Sequence, residues 1–324
     1  MSYVDYTYAV ARIRAMEMTL FSSATIEQLM AMKSYDSCLQ FLMECGWGDT
    51  DTPMNAEAIL AKENEKTWNV IKELLKEKQS VLDVFSYQKL FHNLKSAIKA
   101  SVTTSAHGTI YFDDCAIDGK SMEQIVKERD FDSLPEFMQE AAREAYETFL
   151  HTRDGQLCDI IVDRATLEAI YEAGKKAEDP IIKDYAESTV AVANIKIAVR
   201  SQKTAKSLEF MKRAMAPCDS ISVERLMMAA LSGMEAICEY LTGTSYAGGA
   251  EALKESPSAF ERWCDNQLIE TIKPQKYNPF SIGPLVAYVL ARQNEIKTVR
   301  IILTGKLNEL PDEQMRERIR EMYV

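Results

Sequence analysis

Glycine and proline are scarce in this chain, with 12 and 9 among 324 residues. Sandwiches and α/β folds need turn punctuation at short intervals, so the scarcity already turns the reading toward helices. No stretch approaches the roughly 18 consecutive apolar residues that a membrane span requires. The opening MSYVDYTYAVARIRAMEM places acid and arginine where a signal peptide carries its apolar core, which points to a cytoplasmic chain. Basic residues also fall short: 38 Lys and Arg stand against 49 Asp and Glu, for a net charge of −11. Without a cationic excess there is little to displace counterions, which argues against a nucleic-acid binder but leaves room for a basic protein partner. The seven cysteines form no CxxC pair, and an odd count in a cytoplasmic chain reads as reduced thiols in small core positions. His92, His107 and His151 form no HxxxH or HxH, so zinc or triad chemistry finds little to recruit.

What the chain does have is helix-forming material: 16 Met, many Ala, and abundant Glu, Lys and Leu. These side chains lose little rotamer freedom in a helix. In IEQLMAMKSYDSCLQFLMECG, residues Ile26, Leu29, Met30, Leu39 and Leu42 recur at helical spacing around a polar turn at Ser34–Asp36. LPEFMQEAAREAYETFLHTRDG carries Leu134, Phe137, Met138, Ala141, Ala145 and Phe149 and stops near Gly155. VERLMMAALSGMEAICEYLTG and SIGPLVAYVLARQNEIKTVRIIL follow the same period. The one candidate for extended structure is residues 103–119, TTSAHGTIYFDDCAIDG, where β-branched residues and Gly interrupt it. The expected fold is all-α.

The chain also resembles itself. Residues 26–44 align without gaps on 122–140, with identities at Glu27/Glu123, Gln28/Gln124, Asp36/Asp132, Ser37/Ser133, Phe41/Phe137 and Glu44/Glu140. Residues 223–241 follow the same outline with a small shift. Ahead of this element FHNLKSAIKAS (91–101) matches VANIKIAVRSQ (192–202) through Asn93/Asn194, Lys95/Lys196, Ala97/Ala198 and Lys99/Arg200. Tyr8-x-x-Ala11-Arg12 reappears as Tyr288-x-x-Ala291-Arg292. The middle copies lie 101 residues apart, about a third of the chain. Three related helical units are implied, each burying on its neighbours a face too large to cover alone, in a closed ring or an open arc.

The usual catalytic kits are each missing parts. TVRIILTGKLNELPDE (298–313) looks like a strand feeding a phosphate loop. A P-loop needs glycine four residues before its Gly-Lys and a hydroxyl after it; Ile301 and Leu307 stand there instead. Gly305 is expected to end a helix, with Lys306 serving the last carbonyls. Asp113, Asp114 and Asp118 resemble the DDxxD sites of all-helical terpenoid synthases. The third Asp is one residue late, about 100° of helix rotation, so a solvated loop is expected. Asp49 and Asp51 have calcium-loop spacing, but Pro53 and Met54 occupy positions that need an oxygen ligand and a glycine. No catalytic residue, cofactor or metal site is expected.

Repeated polar residues on apolar helices are the remaining candidates: Arg12, Arg14, Asn93, Lys95, Asn194, Lys196, Arg200, Arg292, Glu295 and Arg300. They either line a partner-binding concavity or pair with one another and fix the register between units.

Taken together, three stretches resemble the C subunit of archaeal and bacterial V/A-type ATPases, the counterpart of the d subunit in the vacuolar ATPase. YAVARIRAMEMTLFS fits the opening pattern through Tyr8, Ala11, Arg12, Arg14, Met16, Glu17 and Leu20. AVANIKIAVRSQKTAKS resembles the Asn-x-Lys helix that ends in Arg. In LVAYVLARQNEIKTVRIILTGKLNELPDEQMRERI, Tyr288, Glu295, Arg300, Ile302, Gly305, Lys306, Leu310, Pro311 and Arg318 fall in the expected places. Arg292-Gln293-Asn294 departs from the usual Lys and acid, which touches one local salt bridge.

The resemblance implies an all-helical funnel of three pseudo-repeated subdomains, roughly residues 1–54 plus 275–324, 80–155 and 180–255. It implies a non-catalytic rotor component on the cytoplasmic face of the membrane. Such a component joins the D and F subunits of the central shaft to the membrane rotor ring, passing torque between ATP chemistry and H⁺ or Na⁺ transport. The competing expectations are a helical-repeat adaptor for another protein, and an all-helical enzyme built on the acidic 113–118 loop. Copurification with a membrane ATPase separates the adaptor from the rotor component. Metal-dependent stabilisation lost on Asp113→Asn and Asp114→Asn would favour the enzyme.

Overall fold

A computed structural model describes residues 6–102 and 111–324. These fall into two compact units, one made of the chain up to Gln79 with Gly248–Val324 and one of Ser80–Ala247. The first unit begins with α1 (Thr7–Glu17), α2 (Ser23–Met30), α3 (Tyr35–Glu44) and α4 (Ala56–Leu75). The second holds α5 (Tyr87–Val102), α6 (Gly119–Glu128), α7 (Glu136–Thr152), α8 (Gly155–Lys176), α9 (Pro180–Lys203), α10 (Leu208–Ala214), α11 (Val223–Ser232) and α12 (Met234–Thr242). From α13 (Ala247–Glu255) the chain returns to the first unit with α14 (Pro257–Ile272), α15 (Gly283–Leu307) and α16 (Asp312–Arg316). Among the described residues no strand forms, and the fold is all-α as expected. The extended piece expected at 103–119 lies outside the described residues over 103–110; residues 111–118 are coil and bends that run into α6.

Local chemistry explains where helices start. Ser22, Ser34, Asn55, Asp118, Asp154, Asp179, Ser207, Ser222 and Ser256 each accept a hydrogen bond from a first-turn N–H. Such caps satisfy donors that the helix itself leaves orphaned. Pro180 and Pro257 occupy the first helical position, where a missing N–H costs nothing. Between α11 and α12 the chain turns at Gly233, with φ of +133°, a conformation that a β-carbon would strain.

In the second unit Leu90, Phe91, Leu94 and Ile98 of α5 meet Met122 and Val126 of α6, Met138, Ala142 and Phe149 of α7, and Val162 of α8. Each fully buried Leu, Ile or Phe contributes roughly 1.5–3 kcal/mol. In the first unit α15 is the central rod, with every residue from Gly283 through Arg292 buried. A helix apolar on all sides must be enclosed, and α1, α2, α3, α4, α14 and α16 pack around it.

The expected helix end at Gly305 is corrected. α15 runs on to Leu307, and the left-handed residue is Glu309, with φ of +53°. Glu309 N–H donates to the Lys306 carbonyl (3.2 Å) and Leu310 N–H to the Gly305 carbonyl (2.9 Å), the paired bonds of a Schellman end. Lys306 does not serve the carbonyls but pairs with Asp312 at 3.1 Å. Gly305 is required by packing: a β-carbon there would stand 2.2 Å from Met315 Sδ on α16.

Gly174 on α8 meets a stiffer obstacle, since its β-carbon would fall 2.4 Å from that of Ala186 on α9. A methionine side chain can swing away, whereas Ala186 can yield only by moving α9. Gly174→Ala is therefore expected to cost about 1–3 kcal/mol, beyond the gain in helix propensity. Gly305→Ala is expected to cost clearly less. Urea denaturation of the two variants checks the order; equal losses would contradict it.

Buried polar clamps and candidate interface residues

The polar residues singled out on α15 converge with partners far away in sequence. Arg292 forms ion pairs with Glu295, one turn on, and with Glu63 of α4; all three are buried. The guanidinium lies 5.1 Å from the centroid of the Trp47 ring. Glu63 also accepts from Gly48 N–H (2.9 Å) and Lys66 (2.7 Å), while Glu295 accepts from Phe21 N–H immediately before the α2 cap, Ser22. Each carboxylate oxygen thus has a donor, the condition under which buried charges are tolerated. Burial pushes the Glu295 carboxyl up, and Arg292 and the Phe21 N–H pull it down.

A second cluster ties down the N-terminal helix. Arg14 contacts both oxygens of buried Glu17 at 2.8 Å. It also donates to the carbonyls of Gln275 (2.5 Å) and Asn278 (3.2 Å), and the Tyr323 hydroxyl donates to Glu17 at 3.2 Å. One arginine and one glutamate so pin α1 to the segment ahead of α15 and to the chain's last residues.

The second unit uses neutral amides in place of ions. Asn93 on α5 donates to the Phe112 carbonyl (2.7 Å) and accepts from the Phe112 N–H (2.9 Å). It also reaches Cys115 Sγ at 3.3 Å and the Ile117 carbonyl at 3.2 Å. On α9, Asn194 donates to the Ala216 carbonyl (2.8 Å), accepts from the Ala216 N–H (3.1 Å) and reaches Cys218 Sγ at 3.5 Å. Phe112 and Ala216 each stand six residues ahead of the cap of the next helix, Asp118 and Ser222. A buried amide reading a backbone N–H and C=O together holds a loop in one conformation.

The remaining candidates are dispersed. Lys95 pairs with Asp163 at 2.7 Å, and Lys99 with Asp159 at 2.6 Å. Arg300 pairs with Glu57, and Lys196 and Arg200 are exposed. Tyr8 is 74% exposed and Arg12 exposed, whereas Tyr288 is 3% exposed and Arg292 buried. The matching strings at Tyr8 and Tyr288 therefore sit in opposite environments. Glu63 escapes a reading by sequence because it lies far from Arg292 in the chain, and Phe21, Phe112 and Ala216 escape it because backbone partners carry no residue signature. Position 295 does carry one: Glu295 follows Asn194 by the same 101 residues that separate Asn194 from Asn93.

The acidic motifs make local contacts, and Asp118 caps α6. Asp118 Oδ1 accepts from Lys120 N–H (2.9 Å) and Ser121 N–H (3.0 Å), and Asp114 pairs with Lys89. Asp49 accepts from the Thr52 hydroxyl (2.6 Å) and pairs with Lys62 (3.2 Å), which hold its carboxyl down to about 2. Among the described residues no group of three or more His, Cys, Asp or Glu is arranged to hold a metal ion.

Titration behaviour follows from the buried hydroxyls. Burial first, opposed by Arg292 and reinforced by Glu295, Glu63 and Glu17, pushes Tyr288 up to about 12. Burial and Glu17 push Tyr323 up as well. An unfolded tyrosine ionises near 10, so between pH 10 and 12 the unfolded chain releases a proton that the folded chain retains. Stability is then expected to fall by about 1.4 kcal/mol per pH unit for each such group. Tyr288→Phe is expected to flatten the dependence of the urea midpoint on pH over that window; an unchanged slope would contradict the assignment.

The described residues thus form an all-helical chain in which buried polar side chains tie helices to loop backbone. The model of the ATP synthase (C/AC39) subunit family matches residues 9–318, nearly the whole chain, and the chain belongs to that family. It is a subunit of a V/A-type ATPase, structural rather than catalytic. It is 25% identical to the C subunit of the V-type sodium ATPase of Enterococcus hirae, covering 96% of this chain and 97% of that protein. Identity to the C subunit of the A-type ATP synthase of Methanocaldococcus jannaschii is 24%, over 96% and 85% of the two chains. For the C subunit of the V-type ATP synthase of Thermus thermophilus it is 22%, over 97% and 98%. Among the described residues no helix is long and apolar enough to cross a membrane.

Proposed function

We propose that this chain is the rotor socket of its ATPase, lying on the cytoplasmic face of the membrane between the D/F central shaft and the membrane rotor ring. It carries torque between ATP hydrolysis or synthesis and H⁺ or Na⁺ transport. The observation that carries this reading is the family match along almost the entire chain. A torque-bearing part must be stiff, and the polar clamps suit that need, because ion pairs and bidentate amides have one good geometry.

Within this reading the chain is three times repeated, roughly as residues 1–54 plus 275–324, 80–155 and 180–255. Asn93, Asn194 and Glu295 are the equivalent positions. In support, each of the three side chains accepts from a backbone N–H ahead of the next helix cap, at Phe112, Ala216 and Phe21. Arg12, Lys196 and Arg200 are exposed and remain the candidates for contact with neighbouring subunits.

Affinity purification of the tagged chain from membranes is expected to bring down the D and F subunits and the ring. Recovery of an unrelated partner without them would make it an adaptor. The net charge of −11 favours a basic shaft tip. Shaft binding is then expected to weaken about tenfold between roughly 0.05 and 0.5 M salt. Binding that ignores salt would remove the electrostatic part of the reading.

A further inference from the structure

The second unit carries an open groove of about 570 Å³ along the outer face of α8. α7 forms one wall, and Arg213 of α10 stands on the other side. The floor is small: Ala141 from α7, and Ala165, Ala169 and Ala173 from α8 at successive four-residue steps. One turn of helix separates each pair, so the lined part of α8, from Ile160 to Lys176, is about 24 Å long. Alanine floors let a third helix approach closely, since no bulky side chain holds the backbones apart. The Tyr87 and Phe137 rings meet at a tilt of 31° with centres 4.8 Å apart, and Phe137 remains 43% exposed.

The charges are arranged around that floor. Arg164 is committed internally, bonded to Glu168 (2.8 Å) and to the Lys212 carbonyl (2.8 Å), which staples α10 to α8 and fixes the groove's width. Glu140, Glu144 and Glu172 have no ion-pair partner among the described residues. Lys176, the last residue of α8, and Arg213 of α10 line the groove as well, so its uncommitted side chains carry an excess of acid, three carboxylates against two cations.

We infer that this groove docks a basic amphipathic helix from a protein partner. Its apolar stripe rests on the alanine floor, an apolar side chain packs against Phe137, and lysines or arginines meet Glu140, Glu144 and Glu172. The inference rests on the chain working inside a multi-protein assembly, and on no particular member of it.

The probe is a synthetic 18-residue helical peptide with leucine at helical spacing and lysine on both flanks, its binding to the full chain followed by fluorescence anisotropy at physiological salt. Glu140→Gln/Glu144→Gln/Glu172→Gln is expected to weaken binding tenfold or more. Glu123→Gln/Glu235→Gln/Glu255→Gln makes the same change in net charge on exposed residues outside the groove, and is expected to weaken it no more than twofold. Ala173→Trp fills the floor without altering charge and is expected to abolish binding while circular dichroism and the melting temperature stay native. Equal losses from the two charge triples, or unchanged affinity in Ala173→Trp, would overturn the inference, as would failure of the wild-type chain to bind. Copurification of the shaft and ring tests the rotor reading separately, and either result can fail while the other stands.

Discussion

Arg292→Met is expected to lower unfolding free energy by about 3–5 kcal/mol, the largest loss from any single substitution in the first unit. The guanidinium is the shared partner of Glu63 and Glu295, and it lies against Trp47. Methionine fills much of the volume but leaves two carboxylates facing each other with little solvent to relieve them. Glu63 keeps Lys66, but Glu295 loses its one ionic partner, and the desolvation of that unpaired charge, more than the lost Coulomb energy, makes the effect large. Arg292→Lys is expected to fall between wild type and Arg292→Met, because one ammonium cannot reproduce the fork that meets both carboxylates. The triple change Arg292→Met/Glu63→Gln/Glu295→Gln is expected to recover much of the loss, since it removes the three buried charges together and leaves only the more exposed Lys66. Urea denaturation followed by tryptophan emission, with Trp47 beside the site, measures all three. A triple variant no better than Arg292→Met would mean that packing, not charge, dominates the cluster.

Asn194→Ala is the corresponding expectation for the second unit, with a loss of about 2–6 kcal/mol. Two buried backbone groups lose their partners, at about 1–3 kcal/mol each. Both bonds to Ala216 are buried. Those of Asn93 to Phe112 are only partly so, and water can reach what Asn93 leaves behind. Asn93→Ala is therefore expected to cost less than Asn194→Ala. Asn194→Asp keeps the shape but points a carboxylate at the Ala216 carbonyl, so it is expected to be at least as damaging as alanine. Hydrogen exchange gives the local readout: the Ala216 amide should lose protection in both Asn194 variants. Equal stability of Asn93→Ala and Asn194→Ala would contradict the burial argument.

These two sites show how much of the candidate set was legible. The Asn93/Asn194 match comes from comparing the chain with itself, because both copies kept the same residue and the same neighbouring basic residue. Position 295 obeys the same 101-residue step but carries glutamate, so identity matching passes over it. Glu63 was invisible for another reason: it is 229 residues from Arg292 and belongs to no repeated string. The Tyr8 and Tyr288 strings show the converse. Similar letters fell on an exposed face of α1 and on the enclosed rod α15, because burial depends on what packs around a helix and not on the helix itself.

Helical architecture and the failure of the phosphate-loop, DDxxD and calcium-loop spacings were determined by sequence alone. Each depends on residues within a few positions of one another, where propensity, capping and ligand spacing act. Tertiary structure decided the rest. It put the left-handed end of α15 at Glu309 and kept Gly305 inside the helix, where a β-carbon would meet Met315. It made Arg292 the shared partner of two buried carboxylates and left Arg12 in water. Those outcomes turn on distances between segments remote in sequence, and desolvation, which sets the strength of every charge involved, exists only once the helices have packed.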